Sequence, residues 1–181
     1  MKSFSMWFSA VAAILMLAAP AMAIDAIFTG KVKTTSADKK TCVLTDTAGK
    51  DHSFTLDAKV PINRAGKESH SDLKVGDAVQ VCYEQGAPST CHYIVVQEGD
   101  SKNWTLSRCT FKSYDAATKQ ITFTDTADSK DAAFATGDAK VSLNGETVRM
   151  EGMKIGDAAF VIVDRTTGVA PTLKAFLASR K

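Results

Sequence analysis

The sequence is poor in the residues that catalytic and metal sites most often use. Its 181 residues include three histidines, two tryptophans and four cysteines, and aromatic side chains make up only 8%. No Gly-x-Ser-x-Gly, His-Glu-x-x-His, phosphate-loop or dinucleotide-binding pattern occurs, so no enzyme class is signalled and no cofactor is called for. Neither charge sign is in excess. The 22 basic and 20 acidic side chains leave +2, which argues against a protein built to neutralise phosphate or coat an anionic membrane. After Ala23 no apolar run approaches the roughly 20 residues that a spanning helix needs. Helical periodicity is also missing, apart from one expected turn near Ser69 to Leu73.

The N-terminus does carry a pattern. Met1 and Lys2 give a positive start, Phe4 to Ala19 are mostly apolar, and Ala21-Met22-Ala23 follows Pro20. This predicts a secretory signal peptide over 1–23, cleaved after Ala23, and a periplasmic or secreted product. All four cysteines lie beyond that point. An even count in an exported chain predicts disulfides. Val79 to Tyr83 and Cys91 to Val96 read as two strands of a hairpin, which would set Cys82 across from Cys91 within bridging distance. Cys42 and Cys109 are left as a second bridge or as two buried thiols.

The chain repeats itself. Thr45-Asp46-Thr47-Ala48 recurs as Thr124-Asp125-Thr126-Ala127, Asp57-Ala58-Lys59-Val60 as Asp138-Ala139-Lys140-Val141, and Leu73-Lys74-Val75-Gly76-Asp77-Ala78 as Met153-Lys154-Ile155-Gly156-Asp157-Ala158. Three blocks in one order at nearly constant offset predict two copies of one small domain, 24–100 and 101–181, joined near Glu98 to Asn103. Within each copy the period is two. Six short strands per copy are expected: in the first, Thr29 to Thr34, Thr41 to Thr45, His52 to Leu56, Val60 to Asn63 and the two hairpin strands. Sheets this small bury a core only by curling, so the expected fold is all-β, two tandem small antiparallel OB-like barrels. The repeated Gly76-Asp77 and Gly156-Asp157 are read as structural turns, glycine for positive φ and aspartate for a bond to the backbone two residues on.

Gly30-Lys31-Val32, the Asp38-Lys39-Lys40 turn, a Thr-rich second strand, Gly49-Lys50, and Leu73-Lys74-Val75-Gly76-Asp77-Ala78-Val79-Gln80-Val81 resemble the small OB-like barrels of exported bacterial proteins of unknown function. More remotely, they resemble the periplasmic copper- and silver-binding component of efflux systems. The likeness covers Phe28 to Val96 and about Leu106 to Ala178. It implies the barrel fold. The metal-binding relative uses a histidine, a tryptophan and methionines on central strands. Here Asp46 and Thr47 stand where that histidine would be sought, and there is no Trp-x-x-Met run, so the likeness supports the fold and weakens the copper assignment.

Candidate chemistry is correspondingly thin. Adjacent strand residues point to opposite faces, which separates Cys91 from His92 as ligands. A soft-metal alternative would draw on His70, His92 and Met150. Met153 replaces Leu73 and is read as core. Trp104, Phe111 and Tyr114 could make a stacking platform, although Phe111 matches Val32 and is read as core too. The first copy is slightly acidic and the second slightly basic, so the halves could face one another. The expected function is a non-catalytic binding or structural module contacting a protein or glycan in the cell envelope, with strand edges open to self-association. The alternatives are a copper-type metal protein and an enzyme of unrecognised type.

Overall fold

The computed structural model describes residues 25–137, 139–143, 146–164 and 172–179. The expected signal segment and its cleavage point after Ala23 lie outside them, as do Asp138 and Asn144 of the second copy. No helix among the described residues is long and apolar enough to cross a membrane.

The fold is two tandem β-barrels with one topology. In the first, β1 (Asp25–Thr35), β2 (Thr41–Thr45), β3 (Asp51–Leu56), β4 (Ile62–Arg64), β5 (Lys67–Ser69), β6 (Ala78–Glu84) and β7 (Ser89–Val96) form a sheet ordered β3-β2-β1-β6-β7-β4-β5. In the second, β8 (Trp104–Asp115), β9 (Gln120–Asp125), β10 (Asp131–Ala135), β11 (Lys140–Leu143), β12 (Glu146–Val148), β13 (Ala158–Asp164) and β14 (Thr172–Ser179) repeat that order strand for strand. A short 3-10 turn, Gly99–Ser101, joins them.

Three expectations change. Each sheet has seven strands, because Lys67–Ser69 pairs with Ile62–Arg64 as a short hairpin where the sequence predicts the approach to a helical turn. The barrels are not wholly antiparallel: each closes through a parallel ladder, β3 on β7 and β10 on β14. The chain between those strands, running through the β4–β5 hairpin, the turn after it and β6 in the first barrel, is long enough for a parallel pairing. Closure also removes most free edge. In the first barrel the terminal strand of the sheet is β5, only three residues long and carrying Lys67 and Glu68, a poor template for strand addition.

The alternation seen in the sequence sorts side chains cleanly. Val32, Leu44, Phe54, Val79, Val81 and Ile94 fill the first barrel, and Phe111, Ile121, Phe123, Phe134, Ala159 and Val161 the second. Residues of the opposite parity make a third cluster. Cys82, Tyr93 and Val95 of the first barrel meet Trp104, Leu106, Phe160 and Ile162 of the second, with Ile27 against them. The seam between the barrels is therefore apolar, not a meeting of opposite charges. Two glutamines stitch it to the β8 backbone: the Leu106 amide donates to Gln80 Oε1 at 2.6 Å, and Gln97 Nε2 donates to the Trp104 carbonyl at 3.2 Å.

The Val/Ile-Gly-Asp block is a turn in both copies, with Gly76 and Gly156 each at φ 93°. The aspartate bonds backward, accepting at Oδ2 from the Lys74 amide at 2.7 Å and, in the second copy, from the Lys154 amide at 2.8 Å. The turn is then pinned to the first strand of its barrel. Gly76 N donates to Val32 O and Val32 N to Asp77 O; Gly156 N donates to Phe111 O and Phe111 N to Asp157 O. In each barrel a β-bulge follows at that point, between Val32 and Thr34 and between Phe111 and Ser113. The bulge bends the first strand so that it can pair on both sides of a small barrel.

Candidate functional site

The first barrel has a cleft of about 190 Å³ at the end where β1 leaves and β2 enters. Its floor is Leu56, Val60, Ile62 and Leu73, and its rim is Lys39, Lys40, Asp57 and His70. Three segments build it, and each is held by its own hydrogen bonds. In the β1–β2 turn, Ser36 Oγ accepts from the Lys40 and Thr41 amides at 3.1 and 3.0 Å, and Asp38 Oδ1 accepts from the Ser36 hydroxyl at 2.6 Å. The Ser36 hydroxyl, with the Lys40 amide behind it, holds the Asp38 carboxyl below its ordinary value. After β3, Asp57 Oδ1 accepts from the Lys59 amide at 2.9 Å. His70 Nδ1 donates to the Val60 carbonyl at 3.1 Å, and Lys39 Nζ spans the opening to the Ser71 carbonyl at 3.4 Å. The acidic groups are thus committed to their own turns. The rim is preorganised, and it presents basic groups over an apolar floor.

The loop after β5 is fixed to the turn before β6 by one arginine. Arg64, with 15% of its side chain exposed, reaches Asp72 Oδ2 through Nε at 2.8 Å and Asp77 Oδ2 through Nη2 at 2.6 Å, and also contacts Glu98. Asp77 chiefly, and then Asp72, hold the guanidinium charged well beyond its usual range. Burial alone would raise the Asp72 carboxyl, yet the Arg64 contacts bring it below its ordinary value. The sequence offers Asp77 as a turn former, and nothing in it signals the arginine that the same carboxylate binds.

The opposite end of the first barrel carries a second polar group. His52 Nε2 lies 2.9 Å from Asp46 Oδ2, and the His52 ring lies 4.9 Å from that of Phe28. Phe28, Phe54 and Tyr83 form an edge-on aromatic row behind it, with centroid spacings of 5.2 and 5.1 Å. The His52 contact holds the Asp46 carboxyl below its ordinary value.

The remaining predicted residues do not converge. His70 stands on the cleft rim, His92 is on the outer face of β7 with Nε2 3.6 Å from Glu84 Oε2, and Met150 packs against the second barrel's core. No group of three or more His, Cys, Asp or Glu among the described residues is arranged to hold a metal ion. The aromatic platform is absent as well: Trp104 is in the seam and Phe111 in the second core. Met153 is core, as expected of the counterpart of Leu73.

No disulfide joins the four cysteines, and all are buried. A bulge between Cys82 and Tyr83 displaces the hairpin register, so Cys82 opposes Tyr93 and Cys91 opposes Tyr83. Cys82 consequently faces the seam while Cys91 faces the barrel interior, on the other side of the sheet. Cys42 and Cys109 are in the cores of different barrels, which no bridge can join without unfolding one of them. Burial raises the Cys109 thiol to about 12.

No family model matches the chain, and no curated protein matches it. Solved structures do. A copper(II)-bound variant of CusF from Escherichia coli is 17% identical with a TM-score of 0.33, covering 46% of this chain and all of that one. A Drosophila Unr fragment named CSD456 is 12% identical with a TM-score of 0.30, covering 84% of this chain and 61% of that one. The topology of the two barrels stands on its own strand order.

Proposed function

We propose that this chain is an exported, non-catalytic module that binds a protein segment in the cleft of its first barrel. The observation that carries the reading is the cleft itself, with four aliphatic side chains below and two lysines and a histidine around a rim already ordered by its own hydrogen bonds. An extended peptide that seats one aliphatic side chain on Leu56 and Ile62 would meet Lys39 and Lys40 with its carbonyl or carboxylate oxygens. Among the residues around this cleft there is no aromatic ring besides the His70 imidazole to stack a sugar, which favours protein over glycan. Asp38 and Asp57 are occupied by backbone amides, which favours binding over acid–base catalysis. Export is supported by the sequence pattern of residues 1–23.

Selection of displayed peptides on the immobilised chain tests this reading. Peptides that bind the wild type should lose binding to an Ala58→Trp variant, in which an indole fills the cleft from its exposed rim while the core is untouched. Peptides that bind both proteins equally would remove the cleft as the site.

A further inference from the structure

Cys42 and Cys91 are the only two cysteines that share a core, and each is 1% exposed. Cys42 lies opposite Phe54 in the β2–β3 ladder, and Cys91 lies opposite Leu56 in the parallel β3–β7 ladder, so the two stand on either side of β3, one interior position apart along it. A barrel this narrow brings interior side chains of strands two apart into contact. The two thiols do meet. The interaction of the two sulfurs holds the Cys42 thiol below its ordinary value, and together with burial it pushes the Cys91 thiol up.

We propose that Cys42 and Cys91 form a disulfide inside the first barrel, tying β2 to β7 behind the strand that closes the ring. The bridge requires an oxidant of the small-molecule disulfide class, of which oxidised glutathione is an example. Cys42, as its thiolate, attacks one sulfur of that disulfide and expels one thiolate, leaving a mixed disulfide at Cys42. Cys91 then loses its proton and attacks Cys42 Sγ, expelling the second thiolate. Two protein thiols are oxidised, one external disulfide is reduced, and the two protons end on the two released thiols. Because both sulfurs are sealed once the barrel closes, the exchange belongs to the folding chain. It also explains why spacing alone misleads: Cys82 is nearer to Cys91 in sequence but on the wrong side of the sheet.

The test needs no variant. The reduced, denatured chain is refolded with reduced and oxidised glutathione, unfolded, alkylated and digested with trypsin and Glu-C. Cleavage after Glu84 separates Cys82 from Cys91. The expected product is the peptide Thr41–Lys50 linked to Gln85–Glu98, two hydrogens lighter than its parts. A linkage through Cys82 or Cys109, or full alkylation of Cys42 and Cys91, would overturn the proposal. Melting supplies the second readout. Reduction should lower the midpoint of the wild type and of a Cys82→Ser variant by several degrees, and leave Cys42→Ser unchanged; an equal redox response in Cys42→Ser would also overturn it.

Discussion

Replacing Phe160 by alanine probes the seam between the barrels. Along β13 the parity of the strand divides the work: Ala159, Val161 and Val163 face the second barrel's core, while Phe160 and Ile162 face the first barrel. Phe160 is 6% exposed and packs in the cluster with Leu106, Tyr93 and Val95. Burying a phenylalanine side chain contributes about 1.5–3 kcal/mol by transfer, and the cavity left in a cluster fixed on both sides brings the cost of truncation to about 3–5 kcal/mol. Rigid β-sheets on both walls limit collapse, so the upper part of that range is expected. The assay is urea denaturation followed both by far-UV circular dichroism and by the fluorescence of Trp104, which sits in the same seam. Wild type should unfold in one transition by both probes, because neither barrel can separate without exposing Tyr93, Trp104 and Ile162. Phe160→Ala should shift that single transition. A loss under about 1 kcal/mol, or two separate wild-type transitions, would show that the barrels are tethered rather than fused.

Other outcomes follow from single contacts. Arg64→Met should cost about 2 kcal/mol in the same assay, between the value of an exposed pair and that of a fully buried one, because it strands Asp77 and Asp72 in a partly solvated site. Gly76→Ala and Gly156→Ala should each cost about 1–2 kcal/mol through positive φ alone, since no atom lies within 4 Å of the Cβ that either would add, and the double variant should be close to additive. Alkaline melting should expose Cys109. Its folded thiol titrates near 12 against 9 in the unfolded chain, so the folded state fails to gain the stabilising deprotonation and stability falls between those values; Cys109→Val should flatten that part of the profile.

Much of the barrel was legible because a small barrel writes its alternation into each strand. Thr41–Thr45 coincides with the predicted strand, and the three repeated blocks mark equivalent places in two sheets of identical order. What stayed hidden depends on one-residue geometry or on distant partners. The strand Lys67–Ser69 has too few residues to show a period. The bulge leaves His92 of β7 as one unpaired position, which turns Cys91 into the barrel interior while Cys82 keeps the seam face that the alternation of β6 gives it. The seam itself is carried by residues such as Phe160 and Ile162 that make β13 apolar on both faces; that run reads as a fully buried strand without revealing what covers its second side. The cleft was least legible of all. His70 stands out by type, but Leu56, Val60 and Leu73 read as ordinary core, and only the closure of β3 on β7 leaves them at an open end.

The most direct test of a peptide-binding cleft is a map of amide chemical-shift changes in the isotopically labelled chain as a selected peptide is added. The largest changes should fall on Lys39, Lys40, Leu56, Val60, His70 and Leu73, with His52 at the far end of the barrel and the second barrel little affected. Changes centred on the His52 and Asp46 pair, or spread over the second barrel, would contradict it.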